Sequence, residues 1–262
     1  MDLFGMFAPG NWPAFVLISA RVTGLVMLAP FWSLLAIPRS SKAAAIVVIA
    51  GVLVPGVPRP DFPAEVIAMP APLLMEFTIG LALGLAATVV TQSLTMASEV
   101  VSLQTGLSLG QVLTPNLDLG GPPVAQIYGL LVIAVFVGIV GPVMMLDGLA
   151  ASLGQYPPGV PLPFGGGATA LLEVTGRLFA YAVQVAAPVM AALSVTNIAM
   201  AILSRAVPQL NAMAMSFAVT LGVGLLILGA SLPLMVRLTT RWLEAAPTAA
   251  GALVGAMTGT AP

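Results

Sequence analysis

The sequence predicts an all-α, polytopic membrane protein of about six hydrophobic helical segments, arranged as helical hairpins, and three observations carry that prediction. Of 262 residues, 59% are hydrophobic and only 6% charged, against about 25% charged in ordinary soluble domains. Uncharged stretches of 27, 31 and 28 residues separate Arg177 from Arg205, Arg205 from Arg237, and Asp118 from Asp147. Each exceeds the roughly 20 apolar helical residues needed to cross a hydrocarbon core of about 30 Å. Histidine and cysteine are absent, which removes His-based triads, thiol nucleophiles, disulfides, and histidine or thiolate metal sites.

Taken in order, the segments fall at about 12–37, 43–57, 73–96, 124–146, 178–203 and 213–235, all within one membrane domain covering 1–262. The first is long enough to span but contains Arg21 and Pro30. The second, Ala43 to Val57, has only 15 residues, which suits a tilted hairpin, a re-entrant segment or a helix shielded by other protein. The third carries Glu76 near its start, with Gly80 and Gly84 at the small-xxx-small spacing that lets two helix backbones approach. The last three lie in the charge-free gaps. Pro188 and Asn197 weaken the fifth and mark a candidate kink or broken helix. Connectors are rich in proline: Val54 to Pro72 holds six and Gly154 to Gly167 four. The stretch Ser98 to Val112 is weakly amphipathic and leads into a turn-rich loop, TPNLDLGGPP.

Orientation does not follow from charge. Arg39, Lys42 and Arg205 fall on one side and Arg59, Arg237 and Arg241, with Arg177 close by, on the other, so the positive-inside rule is undecided. The first positive charge, Arg21, sits inside an apolar segment, so no basic leader of a signal peptide is expected. Eight Lys and Arg against nine Asp and Glu supply no basic footprint for nucleic acid.

Catalytic motifs fail on chemistry. Gly106 to Gly110 (GLSLG) matches the nucleophile-elbow pattern, but the elbow needs a preceding strand and a histidine base. No phosphate-binding loop surrounds Lys42, the only lysine. No enzyme activity, cofactor or metal is expected. Ionisable residues in or beside apolar segments are more informative, because each costs at least about 2.5–3.5 kcal/mol at a helix centre unless paired or hydrated. They are Arg21, Glu76, Glu99, Asp147 and Arg205. They form either an ion path or structural charges that hold helices in register. Their position near segment ends favours structure and assembly over a mid-membrane ion site. Fourteen methionines suit conformable packing or the sealing of an irregular opening.

From about Trp12 to Arg241 the chain resembles the FliR family of flagellar type III export proteins, whose injectisome counterpart is SctT. The likeness rests on Arg21, Gly24, Pro30 and Pro38; on Glu76 with Gly80 and Gly84; on Glu99 followed by Gly106; and on SRAVPQLNAMAMSF, which contains the family-motif residues Pro208, Gln209 and Asn211. The resemblance implies one subunit of an export gate in the bacterial inner membrane, at the flagellar basal body. Its implied partners are FliP-like, FliQ-like and FlhB-like subunits, and unfolded proteins would leave through the pore. It also implies that the loop at about Gly106 to Gly121 plugs that pore, with Leu109, Val112 and Leu113 as the sealing side chains. Relatives with aromatic residues there differ from this chain, which has Leu and Val. From another class, an ion-coupled secondary transporter of a small solute is the alternative. It predicts internal repeats with paired broken helices, and no convincing repeat is present.

Overall fold

The computed structural model of the protein describes residues 11–30, 32, 37–58, 70–107, 123–138, 141–159, 167–207 and 212–258. Among these residues the secondary structure is entirely helical: α1 (Trp12–Leu28), α2 (Arg39–Leu53) with a 3₁₀ turn (Val54–Gly56), α3 (Pro70–Thr105), α4 (Pro123–Gly138), α5 (Gly141–Gln155), α6 (Gly167–Ala206) and α7 (Ala212–Thr258). Four stretches are long and apolar enough to cross a membrane, at Arg39–Gly56, Pro70–Thr105, Leu172–Ala206 and Met215–Ala256, and α1 is a shorter apolar helix. The chain is an all-α, multi-span membrane protein.

Several helix boundaries differ from those expected, for identifiable reasons. α1 stops at Leu28, where Ala29 turns to ψ 130° ahead of Pro30, as the residue before a proline prefers. The expected segment 124–146 is divided between α4 and α5, and α5 starts at Gly141–Pro142, where a missing N–H costs nothing. α3 continues nine residues past 96 through Ser98–Thr105. It ends at Gly106, whose φ of 75° is the left-handed conformation that closes many helices. α6 runs unbroken through Pro188 and Asn197. α7 continues past Arg237 and Arg241 to Thr258, because a charge ends the hydrocarbon stretch without ending a helix.

The chain forms two compact units: residues 1–89, 136–175 and 243–262, and residues 90–135 and 176–242. In the first, α2 packs on α1, and α1 runs parallel to the first half of α3 with their backbones in contact. A Cβ on Gly80 would collide with the Arg21 carbonyl, and one on Gly24 with the Phe77 carbonyl. At Gly84 a Cβ would lie 2.9 Å from the Leu25 oxygen and from Leu28 Cβ. The Thr88 hydroxyl bridges the same seam, shared between the Leu28 carbonyl (2.5 Å) and its own Gly84 carbonyl (2.8 Å). The Gly80/Gly84 spacing is therefore helix packing of the small-xxx-small kind. The C-terminal part of α7 lies beside α5, with Pro247 Cβ near Gly148 and Gln155 Oε1 near Gly251.

In the second unit, α6 and α7 form an antiparallel hairpin. Tyr181 stacks on Trp242 with centroids 4.2 Å apart, Leu193 reaches Gly224, and the Thr220 hydroxyl donates to Asn197 Oδ1 at 3.4 Å. The paired numbers sum to a nearly constant value, which is the register of two antiparallel helices. Gly224 also admits the Thr105 side chain from the end of α3.

Gly80→Ala should destabilise the detergent-purified protein by about 1–3 kcal/mol, because its Cβ meets backbone that cannot yield. Gly222→Ala in α7, where a Cβ meets nothing within 4 Å, should not lower the thermal midpoint and should raise it slightly, since alanine is the better helix former. Thermal unfolding of the two variants beside the parent checks both.

Candidate functional site

In the first unit, two charged side chains are withdrawn completely from solvent. Arg21 of α1 and Glu76 of α3 are both 0% exposed and pair through Nε and Oε2 at 2.6 Å. α1 and α3 present them to each other because the glycine seam that begins at Gly80 and Gly24 brings the backbones together one turn away.

The remaining partners come from α5 and the turn after it. Arg21 Nη1 donates to Ser152 Oγ at 3.2 Å, and Nη2 donates to the Tyr156 carbonyl at 2.9 Å. The Ser152 hydroxyl in turn donates to the Leu149 carbonyl at 2.7 Å. Glu76 Oε1 accepts the Gly159 N–H at 3.1 Å. Gly159 has φ 83°, a conformation that glycine adopts without the steric cost of a side chain. Tyr156 donates its own N–H to the Ser152 carbonyl, closing the end of α5.

Chemically this is a tie, not a reaction centre. The guanidinium and the carboxylate are spent on each other, on Ser152 and on fixed backbone groups. A buried pair repays its desolvation only when the spare donors and acceptors are satisfied as well, and here Ser152, Tyr156 and Gly159 do that. An apolar cavity of about 30 Å³ lies in the same unit, lined by residues including Leu25, Leu83, Met144, Met145 and Pro247. With no convergent polar side chains it is a packing gap rather than a ligand site. Among the described residues no group of His, Asp or Glu has the grouping to hold a metal ion.

The other residues singled out in the sequence stand apart. Glu99 on α3, Asp147 on α5 and Arg205 in the last turn of α6 are exposed, and no ion pair joins Glu99 to Arg205. Leu109, Val112 and Leu113, and the motif residues Pro208, Gln209 and Asn211, lie outside the described residues. Sequence reasoning missed Ser152, Tyr156 and Gly159. The only local signal was the Tyr-Pro-Pro-Gly run after α5, which marks a turn without saying what it faces.

The fold and its buried tie define the class: an all-helical, multi-span membrane protein in which a buried ion pair fastens helices to one another. The sequence profile described as "Bacterial export proteins, family 1" matches residues 12–246, and the chain belongs to that family. It is similar to the flagellar biosynthetic protein FliR of Escherichia coli (strain K12), with 26% identity over 82% of each chain. It is also similar to that of Pectobacterium carotovorum subsp. carotovorum, 29% identical over 82% of each chain. The FliR of Caulobacter vibrioides is 28% identical over 82% of this chain and 87% of its own length.

Arg21→Ala should cost about 3–5 kcal/mol, since it leaves the Glu76 carboxylate buried without its partner. The swap Arg21→Glu with Glu76→Arg should not restore stability. The Tyr156 carbonyl needs a donor and the Gly159 N–H an acceptor in their present places, so the pair is directional. Recovery of the swapped protein to parental thermal stability would show that only the net charge matters.

Proposed function

We propose that this protein is a subunit of the flagellar type III export gate in the bacterial inner membrane, at the flagellar basal body. There it forms, with FliP-like and FliQ-like subunits and beside an FlhB-like one, the pore through which unfolded flagellar proteins leave. The observation that carries the reading is the family match across residues 12–246, joined by relatives named for flagellar biosynthesis over 82% of the chain.

Two physical features support an assembled role. α3, α6 and α7 have 36, 40 and 47 residues, about 54, 60 and 70 Å at 1.5 Å per residue, beyond the roughly 40–45 Å of a whole bilayer. Their most apolar windows in α6 and α7 are only 28% buried within the chain, leaving long faces for lipid or for other subunits. A carrier would need a solvent-reachable cluster of polar or charged groups near mid-membrane. The one buried charge cluster described here is fully committed to internal bonds.

The mechanism is gating. In this reading the stretch 106–121 is the plug and Leu109, Val112 and Leu113 are its sealing side chains, aliphatic groups that block ions by dewetting. A passing polypeptide displaces them without breaking hydrogen bonds.

Replacing Leu109, Val112 and Leu113 together by alanine should leave the complex assembled but let ions leak across the membrane, because the dewetted constriction widens. Ion conductance of vesicles holding the assembled complex measures it. Parental ion tightness with parental assembly would count against these residues as the plug.

A further inference from the structure

The outward face of α7 changes character in one step. Leu226, Ala230, Leu234, Arg237 and Arg241 are all exposed, and their 3- and 4-residue spacing puts them in one stripe. Up to Leu234 that stripe is apolar, and the whole of 212–236 is uncharged. It then carries two arginines one turn apart. Among the described residues neither of them makes an ion pair. Glu244, the next acidic residue along α7, is exposed one turn beyond Arg241, so two positive charges against one leave the end of the stripe net positive. At the same level of the hairpin Tyr181 of α6 stacks on Trp242, and both rings are half-buried. From Leu226 to Arg237 the helix rises about 16 Å, half of a hydrocarbon core of about 30 Å.

We propose that this stripe binds an anionic phospholipid, with Arg237 and Arg241 holding the phosphodiester and the acyl chains lying along Leu234, Ala230 and Leu226. The length fits, because the apolar part of the stripe is as long as one leaflet is deep. The charge fits as well. A guanidinium presents a planar fork of N–H donors that matches phosphate oxygens two at a time. Two such groups on neighbouring turns, about 6 Å apart at Cβ, can grip one headgroup from both sides. A zwitterionic headgroup brings its own ammonium to the same place and is repelled by them, so the site selects for net negative charge. Tyr181 and Trp242 complete the fit, since an aromatic ring with a polar O–H or N–H settles where acyl chains meet headgroups. A helix of another protein would complement the apolar half but would need carboxylates opposite both arginines. The site is independent of what the protein exports, so its failure would leave the gate reading untouched.

Native mass spectrometry reads the site on the full chain, purified with its co-expressed neighbours in mild detergent. The sample is titrated with dioleoyl phosphatidylglycerol and, separately, with dioleoyl phosphatidylcholine, which share acyl chains and differ in headgroup charge. The parent should retain phosphatidylglycerol about tenfold more tightly, the scale set by two basic side chains at an anionic surface. Arg237→Gln combined with Arg241→Gln should lose one phosphatidylglycerol per copy of this chain. Arg237→Lys with Arg241→Lys should keep most of the preference, and Glu244→Gln should not lower it. The single variants Arg237→Gln and Arg241→Gln disturb the protein less and should each lower the preference partway. Millimolar inorganic phosphate should not displace the lipid, because it has no acyl chains to lie along Leu226 and Leu234. Equal retention of phosphatidylglycerol by the parent and the glutamine variants would overturn the proposal. Displacement by phosphate would make this a site for free anions, and loss of a protein subunit in place of the lipid would make it a protein contact; either result also overturns it.

Discussion

Burying a guanidinium and a carboxylate in a chain meant for a membrane is tolerable only if every polar contact is supplied, and the Arg21–Glu76 pair organises the first unit around that requirement. Arg21 reaches α3 through Glu76, α5 through Ser152, and the following turn through the Tyr156 carbonyl. Glu76 reaches the same turn through the Gly159 N–H. Three helices and a turn are thereby held to one register. Removing either charge strands the other, so the arrangement gives a single placement of α1 on α3 rather than a sliding contact. The glycine seam works in the same direction, since Gly24, Gly80 and Gly84 leave no room for a shifted pairing.

The second unit uses different means. Its α6–α7 hairpin is held by stacked Tyr181 and Trp242, by the Thr220–Asn197 hydrogen bond, and by Gly224, which receives Leu193 and Thr105. Beside that inter-helix bond, the α3 serines there bond to their own helix, and Glu99 and Arg205 face outward. The long, partly unburied helices of the chain leave wide apolar faces for lipid or for other proteins.

Much of this was legible in the sequence, though unevenly. Low charge content and long uncharged gaps were enough to predict membrane-spanning helices, because hydrocarbon thickness sets their minimum length. They could not give the helix ends. α3 and α7 run on through polar and charged residues because helix propensity, not hydropathy, governs continuation, and the left-handed Gly106 rather than any loss of apolarity stops α3. Arg21 and Glu76 stood out individually as costly residues, but they lie 55 positions apart. Two of their partners are backbone atoms of Tyr156 and Gly159, which side-chain chemistry in the sequence cannot reveal. The small-xxx-small spacing at Gly80 and Gly84 was readable as packing; the facing partner, a carbonyl of Arg21, was not.

The most direct measurement is a pull-down of the tagged chain, co-expressed with the neighbouring secretion genes and extracted in mild detergent, with mass spectrometry of what remains bound. The account predicts FliP-like and FliQ-like chains in stable association, and a chain that is unstable without them. A chain that purifies alone, stays folded and binds a small solute would contradict it and bring the transporter reading forward.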